Sequence, residues 1–282
     1  MANVIFAADN GKKFVFGRGG SNYFGMSIGN GVDVALGLSQ GFSQVGQTVQ
    51  TQSVGGRSID VKGEMYGEIE ARKDALRSVC APMTAGKLIF WDEYFIRVVV
   101  KAAPSFSPKK GVGIFQMQFF APFPYFSTVA EKAYSIGSVT KEFRFPINYS
   151  TPHRFGTRST AKATDVRNDG DVPVAFRLDI QANGTCSNVR VTNLKTLAFM
   201  KINGELNLGD RVAVYRDADN AVRAELTRDG VTSDIIDWID DDSTLFDLAA
   251  GENLLAATDD NGGGNLSVQF TFHPARAVLY ET

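Results

Sequence analysis

The residue types able to do acid–base or nucleophilic chemistry are sparse and scattered. His153 and His273 are the only histidines, each adjoins a proline, and the sequence offers neither a partner. A solvated or locally hydrogen-bonded histidine is therefore the expected state of both. No nucleophile elbow, H-E-x-x-H pair or phosphate-binding G-x-x-x-x-G-K-[ST] loop is read. Gly17-Arg18-Gly19-Gly20 has the glycine content of a phosphate loop, yet no helix pattern follows it to offer an N-terminus to an anion, so it reads as a turn. The acidic run Asp237-Trp238-Ile239-Asp240-Asp241-Asp242, with Asp247 nearby, has oxygen ligands for calcium but neither the spacing nor the central glycine of an EF-hand loop. It reads as a solvated acidic loop. Trp238 is the residue that would stack on a sugar in a carbohydrate-binding reading; a sandwich core is its ordinary place. Cys80 and Cys186 are too few for a disulfide framework and lack C-x-x-C spacing, and both are expected to be buried thiols. No catalytic group, metal or cofactor is expected, although paired carboxylates on a sheet leave no linear motif and a glycosidase stays open on that ground.

The elements that carry these residues are mainly strands. Val172, Val174, Phe176, Leu178 and Ile180 alternate with Pro173, Ala175, Arg177 and Asp179, and Leu266, Val268, Phe270 and Phe272 alternate with Ser267, Gln269 and Thr271. Residues 87–101 read as a hairpin across Asp92-Glu93. Residues 114–120 place Phe115, Met117 and Phe119 on one face, until the proline-rich Ala121-Pro122-Phe123-Pro124-Tyr125 ends the strand. Asn10-Gly11, Asn203-Gly204 and Asp229-Gly230 read as hairpin turns, since they supply positive φ. Only 68–81 reads as a helix, with Ala75, Leu76, Val79 and Cys80 as its apolar stripe and Pro82 as its stop. One short helix among a dozen or so strands predicts an all-β protein of two β-sandwich domains.

Length and charge agree with two domains. A chain of 282 residues suits two cores of ordinary size, and 44% hydrophobic with 21% charged residues is globular composition. Residues 1–140 carry 14 basic and 10 acidic side chains, a balance of +4, whereas 141–282 carry 15 and 21, a balance of −6. The shift places the boundary near Thr140. A net charge of −2 argues against nucleic acid or an anionic membrane as the main partner. No apolar run is long enough to span a bilayer, and Met1-Ala2-Asn3-Val4 has no signal-peptide character, so synthesis in the cytosol is expected.

One segment is unusual. Residues 34–56 are twenty-three residues without a charge, rich in Gly, Ser and Gln and punctuated by Phe42, Val45 and Val49. Free loops usually carry charge and core strands carry fewer amides. The composition suits either an arm that docks on another subunit or an edge strand with a flexible loop. In the first case Gln40, Phe42, Gln44, Val45 and Val49 are the expected oligomer contacts.

The order of segments resembles the distal tail proteins of long-tailed, non-contractile bacteriophages. Arg57-Ser58-Ile59-Asp60-Val61-Lys62-Gly63 is similar to that family's Arg-apolar-x-apolar-x-Gly strand, and the helix around 72–80 with the Pro82-x-x-x-Gly86 stop follows as it does there. The hairpin 87–101, Pro104 with Phe106, and the Ala121–Tyr125 element come next, although the family commonly has an acidic residue and a proline before the tyrosine. In the second half, Asn203-Gly204-Glu205-Leu206, Leu208-Gly209-Asp210-Arg211-Val212 and Leu248-Ala249-Ala250-Gly251-Glu252-Asn253-Leu254 resemble the family's C-terminal domain, with Ala250 where the family often has proline.

The resemblance implies a ring-forming β-sandwich domain over 1–140, decorated by the helix and hairpin, and a galectin-like jelly-roll sandwich over 141–282. It implies a hexameric structural hub without catalysis at the virion tail tip, assembled in the host cytoplasm. The implied partners are the tail tube protein, the tail-associated hub or lysin protein, and a receptor-binding protein or a host-surface glycan. DNA would pass through the ring without specific binding, and no membrane is involved. The alternative, a two-domain carbohydrate-binding protein, would use Trp238.

Overall fold

The computed structural model describes residues 4–17, 23–28, 32–43, 45–109, 112–137, 139–141, 156–158, 163–217, 220–262 and 264–279. Two compact units share the chain: Met1–Val129 with Arg276–Thr282, and Ala130–Ala275. The second unit is thus an insertion near the C-terminal end of the first.

The first unit contains β1 (Val4–Ala8), β2 (Lys13–Phe16), β3 (Tyr23–Ile28), β4 (Val32–Ser39), β5 (Thr48–Met65), α1 (Ile69–Val79), β6 (Ala85–Phe90), β7 (Tyr94–Lys109), β8 (Val112–Ala121) and β9 (Phe126–Thr128). Neighbours run β2-β1-β6-β7-β8-β5-β3, with β4 on β5 and β9 on β7. Alternation sends Phe6, Phe16, Ile59, Leu88, Ile96, Phe115 and Phe119 into one core. In a flat sheet β1 and β8 would stand three strand spacings apart, roughly 14 Å. Phe6 and Phe119 nevertheless meet at 5.0 Å between ring centres, and Phe16 and Phe115 at 6.1 Å, so the sheet curls around that core. Helix α1 closes one side through Leu76, Val79 and Cys80. Ala75, expected on the buried stripe, is exposed: the helix turns its 76–79–80 line inward, and position 75 falls on the flank.

The second unit contains β10 (Lys132–Ile136), β11 (Val139–Lys141), β12 (Gly156–Arg158), β13 (Ala163–Asn168), β14 (Arg177–Ala182), β15 (Cys186–Asn193), β16 (Phe199–Leu206), β17 (Arg211–Arg216), β18 (Val222–Arg228), β19 (Val231–Asp234), β20 (Gly251–Thr258) and β21 (Leu266–Phe272). A six-stranded antiparallel sheet runs β10-β21-β14-β17-β18-β19, a four-stranded one runs β13-β20-β15-β16, and β11 pairs with β12. The alternation from Val172 to Ile180 is buried at every second residue, as is that from Leu266 to Phe272. Asp229-Gly230, at φ 51° and 80°, forms the two-residue turn between β18 and β19 that its composition predicts.

Asn203-Gly204 departs from expectation. It is not a turn but lies inside β16, where the ladder to β15 shifts register between Ser187 and Val189. Asn188 sits there at φ 53° and its side-chain oxygen accepts from the Gly204 amide at 3.3 Å. The positive φ that Asn-Gly signals serves a bulge here, with Gly204 at 131°. Among the described residues no helix is long and apolar enough to cross a membrane.

Candidate interaction surfaces

The charge-free segment forms a two-stranded ribbon. Strand β4 pairs with the first part of β5 through Val34↔Val54, Leu36↔Gln52 and Leu38↔Val49. Directly opposed residues share a face, so Val34, Leu36, Leu38, Val49 and Val54 line one side of the ribbon. Each is about half exposed, from 47% to 57%. Phe42 and Val45, at the bend, are completely exposed. Gln40 is exposed as well, and Gln44 lies outside the described residues. Two strands alone are marginal in water, and a run of exposed aliphatic side chains on one face marks a surface suited to a partner.

At the root of the ribbon stands Arg57, the first residue of the Arg-apolar-x-apolar-x-Gly string. It shares the inward parity of Ile59 and Val61 and is wholly buried. Its guanidinium lies 4.6 Å from the centre of the Phe126 ring, and its Nη2 donates to the Ala277 carbonyl at 2.6 Å. Burial holds its pKa below the ordinary arginine value, with the Tyr125 hydroxyl pulling weakly the other way. The sequence carried a signal for this: an arginine at an inward position of an alternating strand is a buried arginine.

In the second unit Asp210, Trp238 and Asp240 are tied down. Asp210, only 3% exposed, accepts from Arg228 Nη2 at 2.6 Å and Nε at 3.0 Å and from the Asn207 amide at 2.8 Å. The Arg228 bonds come first in holding its carboxyl below the usual range. Trp238, on a single 3-10 turn (Ile236–Trp238), packs its ring on Gly204: a Cβ there would meet ring carbons at 2.7 Å. Asp240 accepts from Asn203 Nδ2 at 3.1 Å, Lys201 Nζ at 3.2 Å and the Asp242 amide at 3.1 Å, which lowers its pKa. Two members of the acidic run, Trp238 and Asp240, are therefore spent on internal contacts. Among the described residues no group of three or more His, Cys, Asp or Glu could hold a metal ion.

The remaining sequence candidates do not converge. His153 and Arg18-Gly19-Gly20 lie outside the described residues, and His273 is half-buried just after β21. Contrary to the reading that no such motif is present, Gly25-Met26-Ser27-Ile28-Gly29 has the spacing of a serine elbow. Ser27 lies within strand β3 and pairs with Lys62, so the sharp strand-to-helix turn that activates such a serine is missing. Cys80 and Cys186 are buried free thiols. Burial pushes Cys80 up to about 12; burial, then Asp259 and Asp210, pushes Cys186 up to about 11. Neither is a nucleophile at neutral pH.

Residues 169–273 match the family described as siphovirus-type tail component, C-terminal domain. No curated protein matches the chain in sequence. Among solved structures, the Dit protein (gp 19.1) of phage SPP1, described as a paradigm of the hub adsorption apparatus in phages infecting Gram-positive hosts, superposes with a TM-score of 0.67 at 14% identity, over 97% of this chain and 99% of that one. A chain of the phage P2 baseplate in its activated, calcium-containing conformation aligns with a TM-score of 0.45 at 9% identity, over 96% of this chain and 97% of that one.

Proposed function

We propose, from the membership of residues 169–273 in the siphovirus-type tail component family and the Dit fold of the whole chain, that the protein is a non-catalytic hub of a phage tail tip. Six copies close a ring that joins the tail tube to the tail-associated hub protein and to receptor-binding components. The ring-forming part lies within 1–140, as the sequence suggests, and the galectin-like part within 141–282; the compact units divide at Val129–Ala130, and Arg276–Thr282 belong to the first. The observation that carries this reading is the agreement of fold along nearly all of both chains, not one domain alone.

Two features of the molecule support it. The ribbon of β4 and β5 exposes an uncharged apolar face, and Phe42 and Val45 at its bend have no cover of their own, which suits contacts with a neighbouring copy in a closed ring. Opposite charge balances on the two halves, +4 and −6, favour a fixed orientation between neighbours. Many such contacts around a ring convert weak pairwise interfaces into a rigid joint. Trp238 is used in packing on Gly204, and nothing in its surroundings favours the sugar-binding reading.

The test is the mass of the purified protein over a range of concentrations, with negative-stain images of the largest species. A six-membered ring with a central hole is expected. A protein that stays monomeric when concentrated, and also when mixed with its tail tube protein, would overturn the proposal.

A further inference from the structure

The outer face of the first unit's sheet carries a row of like charges. Lys13 of β2 and Lys87 of β6 flank Ala7 of β1, and Arg97 of β7 stands directly opposite Lys87. Strand spacing confines the row to about 14 Å. Like charges directly opposed across a ladder destabilise it, so the row is a cost to the unit that carries it. Asp9 meets Arg97 at 3.0 Å, but among the described residues Lys13 and Lys87 are in no ion pair, and Lys87 Nζ lies 4.5 Å from the centre of the Phe95 ring. Two residues along the strands, on the same face, runs an apolar row in which Ile5, Ile89 and Phe95 are half-buried. Such a face suits a partner that brings carboxylates and aliphatic side chains together. A nucleic-acid backbone would answer the cations and leave the apolar row uncovered.

The second unit carries the complement. Asp234 at the end of β19, and Asp237, Asp241 and Asp242 beyond it, are exposed and, among the described residues, in no ion pair. Ile236 stands among them, 39% exposed. The segment is held on β16 by the bridge between Ile202 and Ile239 and by the bonds of Asp240 to Lys201 and Asn203, so its free carboxylates are presented from a fixed support.

We propose that these two surfaces meet between copies: the row of Lys13, Lys87 and Arg97 on one copy receives the acidic segment 234–242 of the next. The contact is heterologous, each copy giving one half and receiving the other, and it repeats head to tail until it closes. For that closure it rests on the ring reading above, to which it adds a charged contact beside the uncharged one of the ribbon.

Charge reversal tests it, read by sedimentation. Lys13→Glu with Lys87→Glu leaves the pair of Arg97 and Asp9 intact and should prevent assembly, as should Asp237→Lys with Asp241→Lys; both chains should keep the circular dichroism of the wild type. Mixed in equal amounts, the two reversed chains should assemble, since alternating copies then oppose unlike charges at every contact. A Lys13→Glu, Lys87→Glu chain that assembles as before overturns the contact and leaves the ring reading intact, and so does one whose only loss is affinity for duplex DNA. Folded reversed chains that do not rescue each other overturn it as well. If the wild type stays monomeric, the ring reading fails and the contact is judged by carbodiimide cross-linking of isotopically labelled and unlabelled chains: a bond between chains from Lys13 or Lys87 to the 234–242 segment supports it, and none overturns it.

Discussion

A few residues of the second unit and a few of the first are held in opposite ways. In the second, the buried charge of Asp210 is met by three donors, the large ring of Trp238 has a glycine shaped to receive it, and Asp240 is bonded by Lys201, Asn203 and a backbone amide. In the first, Arg57 is buried with one acceptor, and five aliphatic side chains of the ribbon stand half in water. Groups satisfied in place, such as Asp210, Trp238 and Asp240, serve the scaffold, whereas an uncharged apolar face such as that of the ribbon suits something that arrives.

The contrast can be broken most directly at Asp210. Asp210→Ala deprives Arg228 and the Asn207 amide of their acceptor and should lower the second unit's stability by about 2 kcal/mol in chemical denaturation. Similar in size, Gly204→Ala places a methyl against the Trp238 ring at a backbone φ of 131°, and a loss of about 2 kcal/mol is expected together with a shift in tryptophan fluorescence.

Acid sharpens the comparison further. The folded-state pKa of Asp210 lies below its unfolded value of about 3.9, so its contribution is fully present above that pH and drains away as pH falls through the lower, folded value. Asp210→Asn should flatten the stability profile below about pH 4. Arg57 has the reverse sign: its folded pKa is lowered, the cation opposes folding at every pH where it is charged, and it adds no loss on acidification. Accordingly Arg57→Met should change the global stability of the first unit by no more than about 1 kcal/mol, since an ill-satisfied charge is replaced by apolar atoms. An Arg57→Met loss as large as that of Asp210→Ala would erase the distinction between the two buried charges. Smallest of all, Phe42→Ser with Val45→Ser should move the stability of the isolated chain by less than about 0.5 kcal/mol. On the proposed function the same pair abolishes ring assembly, measured by sedimentation.

Much of the secondary structure was legible. Strict alternation marked the strands around Val172–Ile180, 266–272 and 114–120, because a half-buried sheet imposes a period of two on every residue it contains. Pro82 and the Leu76, Val79 and Cys80 spacing marked the single helix. Asn203-Gly204 misled because positive φ is needed equally at a turn and at a bulge, and the dipeptide does not say which. The candidate surface was half legible: absence of charge flagged 34–56, but its division into β4, a bend and the start of β5 depends on pairing partners distant in sequence.

What the sequence determined by itself was therefore local: which segments are strands, where the helix stops, that Asp229-Gly230 closes a hairpin, and that an arginine at position 57 shares the inward face of Ile59 and Val61. Those follow from steric and solvation rules that act within a few residues. Only the tertiary structure decided that the sheet curls until Phe6 meets Phe119, that Trp238 rests on Gly204, and that Arg57 reaches Ala277 across 220 positions of chain. These contacts join residues far apart in the chain, and their free energy appears only once the backbone has been brought together, which no local pattern records.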